Sequence, residues 1–359
     1  MPVREPAWWY REQGGWQQRL LSPVSRIWQW SAARRLARGK PERAALPVIC
    51  VGNFTAGGTG KTPISILIAR LLIAGGERPV FLTRGYGGRL RGPHRVNSAL
   101  DTAIDVGDEP LLLARHAPVI SARDRVAGAK LAAADFGMSP PTVIVMDDGL
   151  QNPALAKDLA IAVVDAVRGL GNGGVIPAGP LRATVATQFA LAEAIVVNAA
   201  PGADPAIVEK TATRLRGSFH GPVIDAGIEA DADGLDLQGA RVLALAGIAN
   251  PARFYSLLEQ LGATIAGRVQ FADHHAFTDA DATRILTEAS SLHARIVTTE
   301  KDLVRLAGAP GARAALREKA IALPIRVKLD QRNEVRLVSL INAAVLQRRK
   351  SQAKPALKP

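Results

Sequence analysis

Residues 55–62 read TAGGTGKT, a run of small residues closed by a lysine and a hydroxyl. That spacing suits the phosphates of a nucleoside triphosphate, because glycines let backbone N–H groups turn inward around phosphate oxygens. The expected cradle is Thr55, Ala56, Gly57, Gly58, Thr59, Gly60, Lys61 and Thr62. Lys61 is expected to reach the β- and γ-phosphates, and Thr62 to hold Mg²⁺ through its hydroxyl. A helix opening near Thr62 would add the positive end of its dipole. The strict pattern has glycine where this chain has Thr55, so Gly52, Gly57 and Gly58 are expected to supply the bend. A second apolar run, TVIVMDD (142–148), ends in Asp147 and Asp148. Carboxylates at a strand's C-terminal end, beside such a loop, bind Mg²⁺ directly or through its waters.

Phosphoryl transfer also needs a group that orients an acceptor hydroxyl and takes its proton. DVGDEPLLLAR (105–115) puts Asp108 and Glu109 at a helix start, with Pro110 suited to the first turn. Asp108 there is equally an ordinary helix cap, and Glu109 is a further candidate metal ligand. QFADHHAF (270–277) places Asp273, His274 and His275 just after a strand. Companion cysteines and other residues at ligand spacing are lacking, which argues against a structural metal site. A carboxylate from one domain and a histidine from another would form a base assembled as a cleft closes. Arg84 in LTRGYGG, Arg125 in SARDR and Arg182 at the end of GLGNGGVIPAGPLR are candidates for holding a substrate phosphate.

These residues need a frame. Strand runs at 47–53, 79–84, 118–121, 142–148, 159–165 and 194–199 alternate with helical stretches at 62–74, 110–116 and 123–136. Continuous apolar strands between helices mean a parallel sheet covered on both faces, wound by right-handed crossovers. A second series, with strands at 241–249, 264–271, 295–300 and 324–330, forms a smaller α/β domain. The expectation is two α/β/α sandwich domains, the larger a doubly wound, mostly parallel P-loop sheet. The boundaries read from the sequence are an arm at 1–45, the P-loop domain at 46–214, a Gly/Asp-rich linker at 215–239, the smaller domain at 240–346 and a basic tail at 347–359, read as disordered.

The arm is unusual. All five tryptophans of the 359-residue chain lie in its first thirty residues, and residues 1–45 hold nine Lys or Arg against three Glu. Ser22-Pro23 reads as a helix start, with Val24, Ile27, Trp28 and Ser31 on one face. A basic helix carrying tryptophans is the pattern of a segment lying in a membrane interface, and the alternative is that the tryptophans dock the arm onto the protein's own body. No apolar run is long enough to span a bilayer, and no secretory signal is recognisable. A single cysteine, Cys50, excludes a disulfide framework. The net charge of +13 implies an anionic partner, and it is concentrated in the arm and tail rather than in a nucleic-acid module.

Taken in order, VGNFTAGGTGKTP, TRGYGG, GDEP, ARDR, DDGLQ, VDAVRGLGNGGVIPAGPLR, GIANPARF, FADHHAF and TTEKD resemble the tetraacyldisaccharide 4'-kinases of lipid A synthesis. They run from about residue 48 to residue 302. The resemblance implies ATP-dependent, Mg²⁺-assisted transfer of the γ-phosphate to the 4'-hydroxyl of a tetraacyldisaccharide 1-phosphate, giving lipid IVA. It implies a peripheral protein on the cytoplasmic face of the bacterial inner membrane, with the arm on anionic lipid and no nucleic-acid partner. Asp108 and His274 match the family's catalytic pair; beside them the residues themselves point to Lys61 on the phosphates and to Thr62, Asp147, Asp148 and Glu109 around the metal. Asn152 stands where the family often has histidine. The rival reading is a membrane-associated P-loop ATPase acting as a switch, with no lipid acceptor.

Overall fold

A computed structural model describes residues 5–11, 14–134 and 139–353. The wholly buried run VICVGN forms the central strand β1 (Val48–Asn53). Around it lie β2 (Pro79–Thr83), β3 (His94–Arg95), β4 (Val119–Ser121), β5 (Val143–Asp147), β6 (Leu159–Asp165), β7 (Ala194–Ala199) and β8 (Val223–Ala230). A second sheet uses β9 (Arg241–Ala246), β10 (Thr264–Gln270), β11 (Arg295–Thr299) and β12 (Ile321–Leu323) before β13 (Ile325–Lys328). The large sheet runs β13-β8-β7-β6-β1-β5-β2-β4-β3, with β13 and β3 antiparallel to their neighbours and every other pair parallel. The small sheet, β10-β9-β11-β12, is parallel throughout.

The helices are α1 (Trp16–Arg38), α2 (Lys61–Ala74), α3 (Ala103–Val106), α4 (Asp108–Leu113), α5 (Arg125–Ala134), α6 (Val185–Phe189), α7 (Pro205–Ser218), α8 (Pro251–Gln260), α9 (Asp279–Ser291), α10 (Glu300–Arg305), α11 (Ala312–Lys319) and α12 (Gln331–Ala353). Side chains alternate across β1, so Val48 and Cys50 join one core while Ile49 and Val51 join the other. The first core takes Ala129 and Ala132 of α5 and Leu215 of α7; the second takes Ile64 and Ile68 of α2 and Leu337 and Ile341 of α12. The small sheet is likewise covered on both faces, by Ile285 of α9 and Leu316 of α11 on one side and by Phe254 and Leu258 of α8 on the other. Two α/β/α sandwiches result.

The connectivity departs from the segment boundaries read in the sequence. The stretch 215–239 holds the end of α7 and all of β8, a strand of the large sheet. The final strand read into the smaller domain, at 324–330, is β13, which pairs with β8 (Ile325 opposite Ala230, Lys328 opposite Gly227). The small domain is therefore inserted between two adjacent, antiparallel strands. The tail is helical as far as Ala353, because Arg348 donates to Ala44 O, Arg349 grips Glu77 and Gln352 donates to Ala45 O. Residues 354–359 lie outside the described residues.

The arm also differs. α1 begins at Trp16, so Ser22 is not its cap and Pro23 lies inside the helix. Proline there removes one backbone donor. Other bonds carry the helix through: Ser22 Oγ donates to Gln18 O at 2.7 Å, Ser25 Oγ to Val175 O at 2.8 Å, and Trp28 Nε1 to Arg182 O at 3.2 Å. Ser25 and Ala32 face the body, whereas Trp16, Leu20, Val24, Ile27 and Trp30 are exposed. No helix among the described residues is long and apolar enough to cross a membrane.

Candidate active site

β1 delivers the loop 54–60 to the N-terminus of α2. Gly57 (φ 95°) and Gly60 (φ 88°) take the left-handed conformations, so Gly60, rather than Gly58 or Gly52, shares the bend with Gly57. Gly52 is small for another reason: a Cβ there would lie 2.5 Å from Leu150 Cβ. Thr55 is extended and bridges Leu181, with Ala56 N donating to Pro180 O at 2.7 Å. Thus the proline- and glycine-rich loop 169–182 stiffens the position where the strict motif has glycine. Gln188 Nε2 on Phe54 O, Gln151 Nε2 on Asn53 O and Asn198 Nδ2 on Thr59 O complete the bracing. The arm reaches this loop too. The Glu5 carboxylate lies against Gly57, held by Arg168 and Tyr10, and Trp9 is buried with its Nε1 on Pro177 O.

The paired aspartates divide. Asp147 faces α2, accepting from Ser65 Oγ at 2.8 Å, with Thr62 Oγ1 at 3.4 Å. Burial, with the Glu109 charge nearby, pushes its carboxyl up to about 7 against the pull of Lys61. Asp148 (φ 53°) turns the other way, towards Arg182 Nη1 at 3.0 Å. Asp148 is half-buried, and Lys61 and Arg182 hold it below the ordinary carboxylate range. A buried carboxylate short of positive charge beside a threonine hydroxyl fits a divalent cation whose remaining ligands are phosphate oxygens and waters. Among the described residues no cluster of three or more potential ligating side chains occurs, so Thr62 and Asp147 fit the cation as a pair and not as a closed protein cage.

Asp108 opens α4 directly after Gly107 (φ 90°) and is 4% exposed. Its Oδ1 accepts from Glu109 N, and its Oδ2 lies 3.1 Å from His274 Nδ1. The two residues are brought together across the domains, with His274 in a left-handed turn (φ 58°) after β10. Arg305 of α10 also grips Asp108 Oδ2, with Nε at 2.9 Å and Nη2 at 2.5 Å, and it bonds Asp302 and Gly247 O. Burial would raise Asp108, but His274, Lys301 and Arg305 outweigh it and keep the carboxyl far below its usual range. The same bond raises His274 above the usual imidazole value. His275 instead bonds Asp281 at 3.0 Å and stacks on Phe271.

The remaining candidates are dispersed. Glu109 pairs with Lys301 at 3.1 Å and so joins the interdomain network, while its charge also reaches Asp147. Arg182 meets both Asp148 and Thr55 O. Arg125 is buried, donating to Ala122 O and Asp148 O, and serves as a strut. Arg84 is exposed. Asn152 caps its own turn, accepting from Ala154 N. Sequence reasoning gave no role to Lys301 and Arg305, although TTEKD was conspicuous at a strand end. Ser65 and Glu5 were likewise passed over.

A family model described as tetraacyldisaccharide-1-P 4'-kinase matches residues 17–344. Similar curated proteins named tetraacyldisaccharide 4'-kinase include one from Parvibaculum lavamentivorans, 46% identical over 90% of this chain and 93% of its own. Another, from Rhodospirillum centenum, is 46% identical over 92% and 94%. A crystal structure of LpxK from Aquifex aeolicus in complex with ATP matches with a TM-score of 0.69 and 25% identity, covering 91% of this chain and 99% of that one. With the motif spacing, the two-domain fold and these likenesses in accord, the chain belongs to the tetraacyldisaccharide-1-P 4'-kinase family.

Proposed function

We propose that the chain transfers the γ-phosphate of ATP to the 4'-hydroxyl of a tetraacyldisaccharide 1-phosphate at the cytoplasmic face of the inner membrane. The observation that carries this reading is the Asp108–His274 contact, assembled from both domains, with Asp108's helix α4 packed against α2, the helix that follows the phosphate loop. The backbone of 55–62 and Lys61 bind the triphosphate. Thr62 and Asp147 would hold Mg²⁺, which when bound neutralises charge on the transferred phosphate. Asp108 receives the hydroxyl proton, and His274 balances its charge. A carboxylate this strongly held is a weak base. That suits phosphoryl transfer, whose loose transition state asks more of positioning than of proton removal. Arg182, tied to Asp148 and the loop, places positive charge at the same edge.

The exposed stripe of α1 supports docking on the bilayer where the acceptor resides. Trp16, Leu20, Val24, Ile27 and Trp30 recur at helical spacing on the face turned away from the body, in a helix ending with Arg35 and Arg38. A tetraacylated sugar leaves a bilayer at a cost of about 0.8 kcal/mol per CH₂, so the enzyme must come to it. ADP release measured with and without acceptor tests the reading. A kinase releases ADP in step with lipid-linked phosphate, whereas equal ADP release without acceptor would favour the switch ATPase.

A further inference from the structure

Gly57 has no side chain, yet the space of one is filled. A Cβ added there would lie 1.5 Å from Glu5 Oε1 and 2.4 Å from Glu5 Cδ. The carboxylate thus takes the place of the side chain that the phosphate loop omits. Glycine in such a loop leaves the backbone open to close approach by phosphate oxygens. One residue on, a Cβ on Gly58 would meet no described atom within 4 Å, so the intrusion is confined to Gly57.

The carboxylate is held from one side. Tyr10 OH donates to Oε2 at 2.7 Å, and Arg168 Nη1 donates to the same oxygen at 2.7 Å. Oε1, the oxygen nearer Gly57, has no hydrogen-bond partner among the described residues. The other braces around the loop are the neutral amides of Gln151, Gln188 and Asn198, which satisfy backbone carbonyls and leave the charge balance alone. Glu5 instead sets a negative charge against a loop that has to receive a triphosphate, and like charges repel strongly at such range.

The arm positions that charge. Ala7–Tyr10 form a single 3₁₀ turn in which Trp9 is buried. Trp9 Nε1 donates to Pro177 O at 3.1 Å, and its carbonyl accepts from Asn172 N at 2.7 Å. Arg168 is fixed in turn, its N donating to Asp165 Oδ1 at 2.9 Å. α1 rests on the same 169–182 loop, through Ser25 on Val175 O and Trp28 on Arg182 O. One bed therefore carries both the segment that places Glu5 and the helix with the exposed apolar stripe. A bilayer that takes up the stripe competes with this bed for the arm.

We infer that Glu5 is a tethered competitor of the triphosphate: its carboxylate weakens nucleotide binding while the arm lies on the body, and it yields when α1 is drawn into an anionic bilayer. The inference rests on the nucleotide-binding half of the kinase reading. Its consequence is an enzyme that holds ATP more tightly where its lipid acceptor resides.

The test measures binding of a non-hydrolysable ATP analogue with Mg²⁺ to the full-length protein, with no acceptor present. Glu5→Gln keeps an acceptor for Tyr10 and Arg168 and removes the charge. It should lower Kd for the analogue roughly 5- to 30-fold, the effect of relieving one nearby like charge. Kd for AMP, which lacks the β- and γ-phosphates, should stay unchanged. Phosphatidylglycerol vesicles should tighten wild-type binding towards the value of the variant and leave the variant unmoved. An unchanged or weaker Kd in Glu5→Gln would overturn the competitor and make Glu5 a strut for Arg168. Vesicles that shift both proteins alike, or neither, would overturn release by the bilayer. If neither protein binds the analogue, the kinase reading falls together with the inference.

Discussion

At the scale of single residues, charge decides the arrangement. Asp108 sits almost without solvent between His274 and Arg305, and its ionised form is the one those partners select. Asp108→Asn keeps the shape and removes the base, so kcat should fall about 10²- to 10⁴-fold with KM for ATP little altered. A loss below about 5-fold would remove Asp108 from the chemistry. His274 carries the pH dependence. Its pKa is raised by Asp108, so the charged pair is fully present below the ordinary imidazole value and is lost as pH rises through the raised one. The alkaline limb of kcat/KM should therefore follow His274, and His274→Gln should flatten it; an unchanged limb would assign it elsewhere. Arg305 has a structural load as well. Arg305→Met leaves Asp108 and Asp302 buried without their cation and should cost about 3–5 kcal/mol in denaturant unfolding, whereas a change within about 1 kcal/mol would mean the network relaxes around the loss.

At the scale of elements, the phosphate loop and the arm were legible to different degrees. TAGGTGKT between a buried strand and an apolar helix identifies itself, because few backbones other than a phosphate cradle need that glycine spacing. Which glycines bend did not follow from the motif: Gly57 and Gly60 carry the positive φ, and Glu5 and Asn198, far away in sequence, fill the space a Cβ there would need. Gly60→Ala is a sharp check: its Cβ would lie 2.1 Å from Asn198 Nδ2 at a positive φ, so nucleotide affinity should drop at least about 10-fold. Ser22-Pro23 misled because proline favours a first turn, and only the bonds from Ser25 and Trp28 to distant carbonyls reveal a helix running through it. The split of the tryptophans also needed the fold. Trp9 is buried beneath the 169–182 loop, while Trp16 and Trp30 stay exposed. Leu20→Glu with Ile27→Glu should weaken sedimentation with anionic vesicles without lowering thermal stability. Undiminished sedimentation would leave α1 as a docked structural helix.

At the scale of the molecule, alternating strands and helices announced two α/β layers, yet the order of the chain through them was hidden. β8 reads as polar because its outer half is only partly covered, and β13 is four residues long, so neither looked like part of the large sheet. Their pairing makes the small domain an insertion, and the catalytic pair a product of two bodies joined at adjacent strands. Excising residues 231–324 and closing β8 to β13 with a two-residue hairpin turn should leave a folded protein that binds ATP and transfers nothing, since His274 and Arg305 go with the insertion. An aggregated product would place part of the large domain's stability in the small one. The central claim is that the phosphate loop serves a lipid-sugar hydroxyl. The most direct measurement gives the protein γ-labelled ATP, Mg²⁺ and tetraacyldisaccharide 1-phosphate, then treats the lipid extract with mild acid. The glycosidic 1-phosphate is acid-labile and a 4'-phosphate ester is not. The account predicts label that stays with the lipid after acid, while label appearing as free phosphate at the same rate with or without acceptor would contradict it.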